Sequence, residues 1–130
     1  MLKNKSSLSF LLAGFALVAS HTLLAADPGD LDNSFSGDGI VTTSFPGASR
    51  SVINMVKQRT TDAKLVTAGY QVDGSSVSAM TAARYNGDGS LDTTFSSDGL
   101  RAIVFPIGAS AGWSTATAPN NKLVIAGSVS

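Results

Sequence analysis

The constraint that narrows this chain most is that it repeats. Residues 31–46, LDNSFSGDGIVTTSFP, return as LDTTFSSDGLRAIVFP at 91–106, with eight of sixteen positions identical. The shared residues are Leu31/Leu91, Asp32/Asp92, Phe35/Phe95, Ser36/Ser96, Asp38/Asp98, Gly39/Gly99, Phe45/Phe105 and Pro46/Pro106. GAS at 47–49 recurs at 108–110, and KLVTAG at 64–69 recurs as KLVIAG at 122–127. The spacing drifts from 60 to 61 to 58 residues as QRTTDAK in the first copy gives way to APNNK in the second. That is how a hairpin tip changes length while its flanking strands keep their place. Tandem units of this kind must share one local structure and bury each unit against its neighbour.

Residues 1–26 fall outside this pattern. Lys3 and Lys5 precede an apolar run over 10–19, followed by small residues and LLAAD at 23–27. This is the layout of a secretory signal peptide, with cleavage expected after Ala26 or Ala25. The run is shorter than the roughly 20 apolar residues a membrane-spanning helix needs. No Cys stands near the cut to accept a lipid. The chain is therefore expected to be exported, to a periplasmic, cell-surface or extracellular destination. Its expected divisions are a leader at 1–26, a first repeat at 27–90 and a second, incomplete repeat at 91–130.

Beyond the leader the chemistry is sparse. The chain has a single His, His21, inside the leader, and no Cys. The remaining residues cannot build a Ser-His-Asp or Cys-His catalytic set, a His or Cys metal site, or a disulfide. Seven scattered Lys and Arg face nine acids, which gives no clustered basic surface for nucleic acid. All nine acids are Asp. Asp prefers caps and turns, where its short side chain bonds nearby backbone N–H groups, so this inventory points to turns that join strands.

Asp38, Asp73, Asp88 and Asp98 each stand directly before a Gly, a tight-turn signal because Gly accepts positive φ. Strand-like runs lie between, over 40–45, 51–56, 64–70, 77–85, 100–105, 113–118 and 122–128, and no segment carries a capped helical stripe. One period thus holds four strands. In 64–70 and 77–85 both alternating faces carry small or apolar residues, as in a sheet covered on both sides. The expected fold is all-β, an incomplete β-propeller-like array of four-stranded blades. A β-sandwich or meander of two related halves is the other architecture this pattern allows.

The Leu-Asp-x-x-Phe-x-x-Asp-Gly string, the KLVTAG strand and the AARYNGDGSLDTTF junction at 82–95 resemble the bacterial delta-60 repeat. That is a propeller-type repeat of exported bacterial proteins whose function is uncharacterised. The resemblance covers nearly all of residues 29–130. It implies an array that opens just after a signal peptide on a GDLD phrase, here Gly29 to Asp32. The chain departs from the repeat at PGAS after Phe45, at Asn54 in the second strand, and at Thr61-Asp62-Ala63, where a Pro-Asp-Gly turn is more usual. The resemblance brings no catalytic, cofactor-binding or metal residue to transfer.

Several residues have two readings. Asp32 and Asp92 are expected as Asx-turn or cap residues that turn Leu31 with Phe35, and Leu91 with Phe95, inward as apolar plugs. NGDGSLD at 86–92 also offers Asn86, Asp88, Ser90 and Asp92 as calcium ligands. The corresponding positions of the first copy hold Ala26 and Pro28 in place of Asn86 and Asp88, which favours the structural turn. Trp113 is read as core, with a carbohydrate-stacking platform as the other use. Arg84 is read as a strand-end residue bonded to an Asp turn, with a ligand carboxylate as its other partner. Paired Asp residues could in principle support glycan cleavage.

The functional expectation is an exported, non-catalytic binding or display module for a protein or glycan. The alternative is part of an Asp-dependent glycan-active or other propeller enzyme, with its site mostly outside these residues. Fewer than two periods of 60 residues follow the leader, whereas closed propellers use typically 4 to 8 blades. Open faces bearing Val124, Ile125 and Trp113 are therefore expected to need self-association or further repeats.

Overall fold

A computed structural model describes residues 27–130. The leader at 1–26 lies outside the described residues. Six strands form: β1 (Ala48–Gln58), β2 (Leu65–Asp73), β3 (Ser78–Tyr85), β4 (Leu100–Ile103), β5 (Ser110–Thr117) and β6 (Leu123–Val129), with one 3-10 turn at Pro119–Asn121. All pairings between them are antiparallel, in a four-stranded sheet ordered β1-β2-β3-β4 and a two-stranded sheet β5-β6. The fold is all-β, and no helix among the described residues is long and apolar enough to cross a membrane.

Six of the seven expected strands form, within a few residues of their expected limits. The segment 40–45 does not. It joins no sheet among the described residues, while its counterpart in the second copy forms β4 by pairing with β3, Met80 opposite Ile103 and Ala83 opposite Leu100. A strand exists only where a neighbour accepts its backbone hydrogen bonds, and among the described residues no strand lies beside 40–45 to do so. The sheets are thus out of phase with the sequence repeat: the first sheet takes three strands from copy one and its fourth from copy two.

The two faces of this sheet have different cover. Leu65, Ala83, Tyr85 and Leu100 face a cluster closed by Val41, Phe45 and Leu91, and the Tyr85 hydroxyl donates to Thr43 Oγ1 at 2.7 Å. So residues 40–45 pack on this face without pairing. The opposite face carries Val66, Ala68, Met80 and Ala82, at 2%, 0%, 6% and 2% exposure, and the second sheet covers it. Small residues let the two sheets approach closely. A Cβ on Gly112 would lie 3.2 Å from the Gly69 backbone, and one on Gly127 would lie 2.6 Å from Met80 Cε.

The first strand of each sheet carries a bulge at the same place. Register shifts fall between Ile53 and Met55, and between Gly112 and Ser114, leaving Asn54 and Trp113 as the extra residues. Asn54 Nδ2 uses its displaced position to donate to Gly112 O of the second sheet at 2.8 Å. Trp113 occupies the corresponding place in the second sheet, with no further sheet over it among the described residues. It is 55% exposed, and its Nε1 donates to Ser128 Oγ at 3.0 Å. The core reading of Trp113 is therefore corrected: the bulge points it outward from the last sheet.

Turn chemistry sets local stability. Gly39 and Gly99 adopt φ of 81° and 86°, and a Cβ on them would meet the Leu31 and Leu91 Cβ atoms at 2.6 and 2.9 Å. In the β1–β2 turn Ala63 is forced to φ 56°, a backbone conformation that Gly adopts without strain. Left-handed backbone costs an L-residue about 1–2 kcal/mol. Ala63→Gly is therefore expected to stabilise the protein by about 0.5–1 kcal/mol. Gly99→Ala should destabilise it by about 2 kcal/mol through strain and the Leu91 contact. Urea unfolding of the three proteins side by side checks the opposite signs.

Candidate functional site at the repeat junction

The repeated phrase folds the same way twice. Phe35 N–H donates to Asp32 O at 2.8 Å and Phe95 N–H to Asp92 O at 2.9 Å, followed by Gly39 N–H to Phe35 O at 2.7 Å and Gly99 N–H to Phe95 O at 2.8 Å. Asp32 Oδ1 accepts the Ser34 N–H and hydroxyl at 2.9 and 2.6 Å. Asp92 Oδ1 accepts those of Thr94 at 3.1 and 2.7 Å. These are the expected Asx turns. In each copy the second Asp accepts the N–H two residues on, Asp38 Oδ1 from Ile40 and Asp98 Oδ1 from Leu100, both at 2.9 Å.

The surroundings of the two copies differ. Asp92 is 3% exposed, and its Oδ2 accepts from Lys64 Nζ at 2.7 Å and Arg84 Nε at 2.5 Å. Arg84 also donates through Nη2 to Thr94 Oγ1 at 2.9 Å, and its guanidinium lies 5.1 Å from the Phe95 ring centroid. Backbone bonds run alongside, Asp92 N–H to Arg84 O and Arg84 N–H to Gly99 O, each 2.9 Å. Lys64 and Arg84 of copy one thus clamp the Asp of copy two. Asp32 is exposed and makes no ion pair among the described residues. Leu31 correspondingly is 56% exposed, whereas Leu91 packs against the core cluster. The plug reading holds for Leu91 and is corrected for Leu31, because a plug needs a unit above it to close.

The junction has a defined charge state. The Lys64 ammonium beside Asp92, reinforced by Thr94 and Arg84, holds its carboxyl well below the ordinary carboxylate range against the opposing effect of burial. Asp32 and Asp88 are also lowered, first by the hydroxyls of Ser34 and Ser90 and then by those residues' backbone N–H groups.

Of the four residues weighed for calcium, Asp88, Ser90 and Asp92 have their side-chain oxygens engaged within the loop and the clamp. Asp88 Oδ1 accepts the Ser90 N–H at 2.9 Å and the Ser90 hydroxyl at 2.6 Å, and Asn86 Nδ2 donates to Ser90 Oγ at 3.0 Å. Asp92 Oδ2 is shared by two cations, which a metal would have to displace. Among the described residues no group of three or more His, Cys, Asp or Glu gathers as a metal site. Arg84 takes the structural partner expected of it. The clamp as a unit was not legible beforehand: Lys64 lies 28 residues from Asp92, and nothing in linear spacing pairs them.

Asp92→Asn removes a buried charge and leaves Lys64 and Arg84 facing a neutral amide, which should cost about 2–4 kcal/mol. The folded pKa of Asp92 is depressed, so its stabilisation is complete above the ordinary carboxyl value of 3.8 and is lost as pH falls through the depressed one. Urea midpoints of the wild type should hold from about pH 7 to 5 and drop below about pH 4, with a shallower drop in Asp92→Asn. Parallel acid-limb slopes in the two proteins would remove Asp92 from the account.

A search of curated proteins found no significant match, and a search of solved structures likewise found none. Residues 61–95, which contain β2, β3 and the Leu91 to Phe95 phrase, match the family described as "Domain of unknown function (DUF5122) beta-propeller". The matched span, the antiparallel four-stranded sheet and the second sheet stacked on its face together make this chain an incomplete, propeller-type array of repeat blades.

Proposed function

We propose that this chain is an exported protein of the delta-60 repeat type that serves as a non-catalytic binding or display module for a protein or glycan outside the cytoplasm. The observation that carries the reading is the fate of its carboxylates. Asp32, Asp38, Asp62, Asp73, Asp88, Asp92 and Asp98 each accept the backbone N–H of the residue two positions on. The acids that an Asp-dependent enzyme would draw on are the hardware of the turns. A scaffold whose polar groups are spent on fixing loops presents those loops as a rigid surface, the usual basis of recognition on repeat proteins.

Two measurements test this. Cell fractionation with mass spectrometry should find the protein outside the cytoplasm, beginning at Asp27 or Ala26; an intact cytoplasmic chain overturns the export part. Incubated with envelope polysaccharides, the protein should bind without releasing new reducing ends. Release that disappears in an Asp→Asn variant would make it an enzyme.

A further inference from the structure

We propose that Asn86 is a self-modification site: attack by the Gly87 backbone nitrogen converts its carboxamide to aspartate and isoaspartate, and the isoaspartyl form loosens the repeat junction. The display role does not enter into this; what singles out Asn86 is the state of the backbone at each Asp-Gly and Asn-Gly pair.

The chain has five such pairs: Asp38-Gly39, Asp73-Gly74, Asn86-Gly87, Asp88-Gly89 and Asp98-Gly99. Closing a ring onto the preceding side chain needs a glycine nitrogen that is not tied by its own hydrogen bond, and a carbonyl carbon that accepts a nucleophile. Three pairs fail the first requirement. Gly39 and Gly99 donate their N–H to Phe35 O and Phe95 O at 2.7 and 2.8 Å, and Gly89 donates to Asn86 O at 3.1 Å. The N–H groups of Gly74 and Gly87 have no acceptor among the described residues. Asp73 fails the second requirement. It presents a carboxylate, whose charge repels an attacking nitrogen, and its Oδ1 is held by the N–H groups of Ser75 and Val77 at 2.8 and 2.9 Å. Of the five pairs, only Asn86-Gly87 joins a neutral carboxamide to a free glycine N–H. Gly87 is exposed, with nothing within 4 Å of where a Cβ would stand. A single bond restrains the carboxamide, Asn86 Nδ2 to Ser90 Oγ at 3.0 Å, and at an exposed site water replaces such a bond at little net cost.

The chemistry needs only water. Gly87 N gives its proton to solvent base and bonds to Asn86 Cγ; the Cγ–Nδ2 bond breaks and Nδ2 leaves as ammonia, closing a five-membered succinimide. Water then opens the ring at one of its two carbonyls. Breaking the bond from N to Cγ gives aspartate. Breaking the bond from N to the main-chain carbonyl carbon gives isoaspartate, whose backbone runs through Cβ and Cγ and is one carbon longer. The place of Asn86 in the fold turns this into a structural change. Residues 86–90 make the turn between β3 and the second copy, closed by Asn86 N–H to Ser90 O at 2.9 Å and Gly89 N–H to Asn86 O. Just outside it, Arg84 and Asp92 are joined through both side chains and backbone. In the isoaspartyl form the oxygen that accepted from Gly89 belongs to a carboxylate off the main chain, and the Nδ2 donor to Ser90 is gone. The turn lengthens between two residues whose separation the clamp fixes.

The test holds the folded protein at mildly alkaline pH, where more of the amide nitrogen is deprotonated, and follows it by tryptic mapping. The peptide spanning 85–101 should gain the mass of an amide-to-acid exchange, with fragmentation placing isoaspartate at 86 and leaving the Asp-Gly pairs unchanged. Gly87→Ala meets open space and needs no positive φ, so it should fold normally. It should react about tenfold or more slowly, because a Cβ beside the attacking nitrogen hinders ring closure. Equal rates in the two proteins overturn the proposal, as does conversion at the Asp-Gly pairs with Asn86 intact. The isoaspartyl fraction, separated by ion exchange, should unfold at a lower urea concentration than Asn86→Asp, which carries the same charge on a backbone of ordinary length. Equal urea midpoints for those two overturn the loosening of the junction.

Discussion

The clamp of Lys64 and Arg84 on Asp92 is the interaction on which the rest of this structure depends. Arg84 belongs to β3 and Asp92 to the phrase that opens the second copy, so their bond fixes where the second copy starts relative to the first. With Asp92 held, the Asx turn places Phe95 and the Asp98 turn sends Leu100 back alongside Ala83. β4 can then complete the sheet. A buried carboxylate is costly unless paired and hydrogen-bonded, and here both oxygens of Asp92 have partners. An unclamped Asp92 would cost the junction both its charge balance and the alignment of β4.

This linkage makes each repeat incomplete by itself. A sheet that draws its last strand from the following copy cannot finish without it, so folding of neighbouring units is coupled through backbone pairing as well as packed faces. The residues between the sheets are correspondingly small. Gly69 against Gly112, and Gly127 against Met80, allow approach at distances that any added side chain would prevent, and the Asn54 bond to Gly112 O ties the two bulged strands together. Val66, Ala68 and Ala82 fill what space remains.

The segment 40–45 and Leu31 show where reading by residue type reaches its limit. Leu31 is the same residue as Leu91, and 40–45 shares Phe45 with Phe105 at the matching place of 100–105, while the hydrogen bonds of the turns at 32–39 and 92–99 agree in length to within 0.2 Å. Their states differ because strand formation and burial require a neighbour, and the neighbour differs. Trp113 makes the same point from the other end. An aromatic at the start of a strand ordinarily goes inward, but a bulge set by backbone register points it away from the first sheet. The Asp turns, by contrast, were legible because an Asx turn is closed by a side chain and an N–H two residues away.

By itself the sequence determined what is local or periodic: the Asp and Gly turns, the strands between them, the two-copy pattern, the all-β class, and the lack of imidazole and thiol beyond residue 26. Only the tertiary structure decided which strands share a sheet, that sheet and repeat are out of phase by one strand, and that Lys64 and Arg84 meet at Asp92. The physical reason is range. Turn geometry is fixed by atoms a few bonds apart, whereas pairing, burial and the depressed carboxyl of Asp92 depend on groups that only the folded chain brings together.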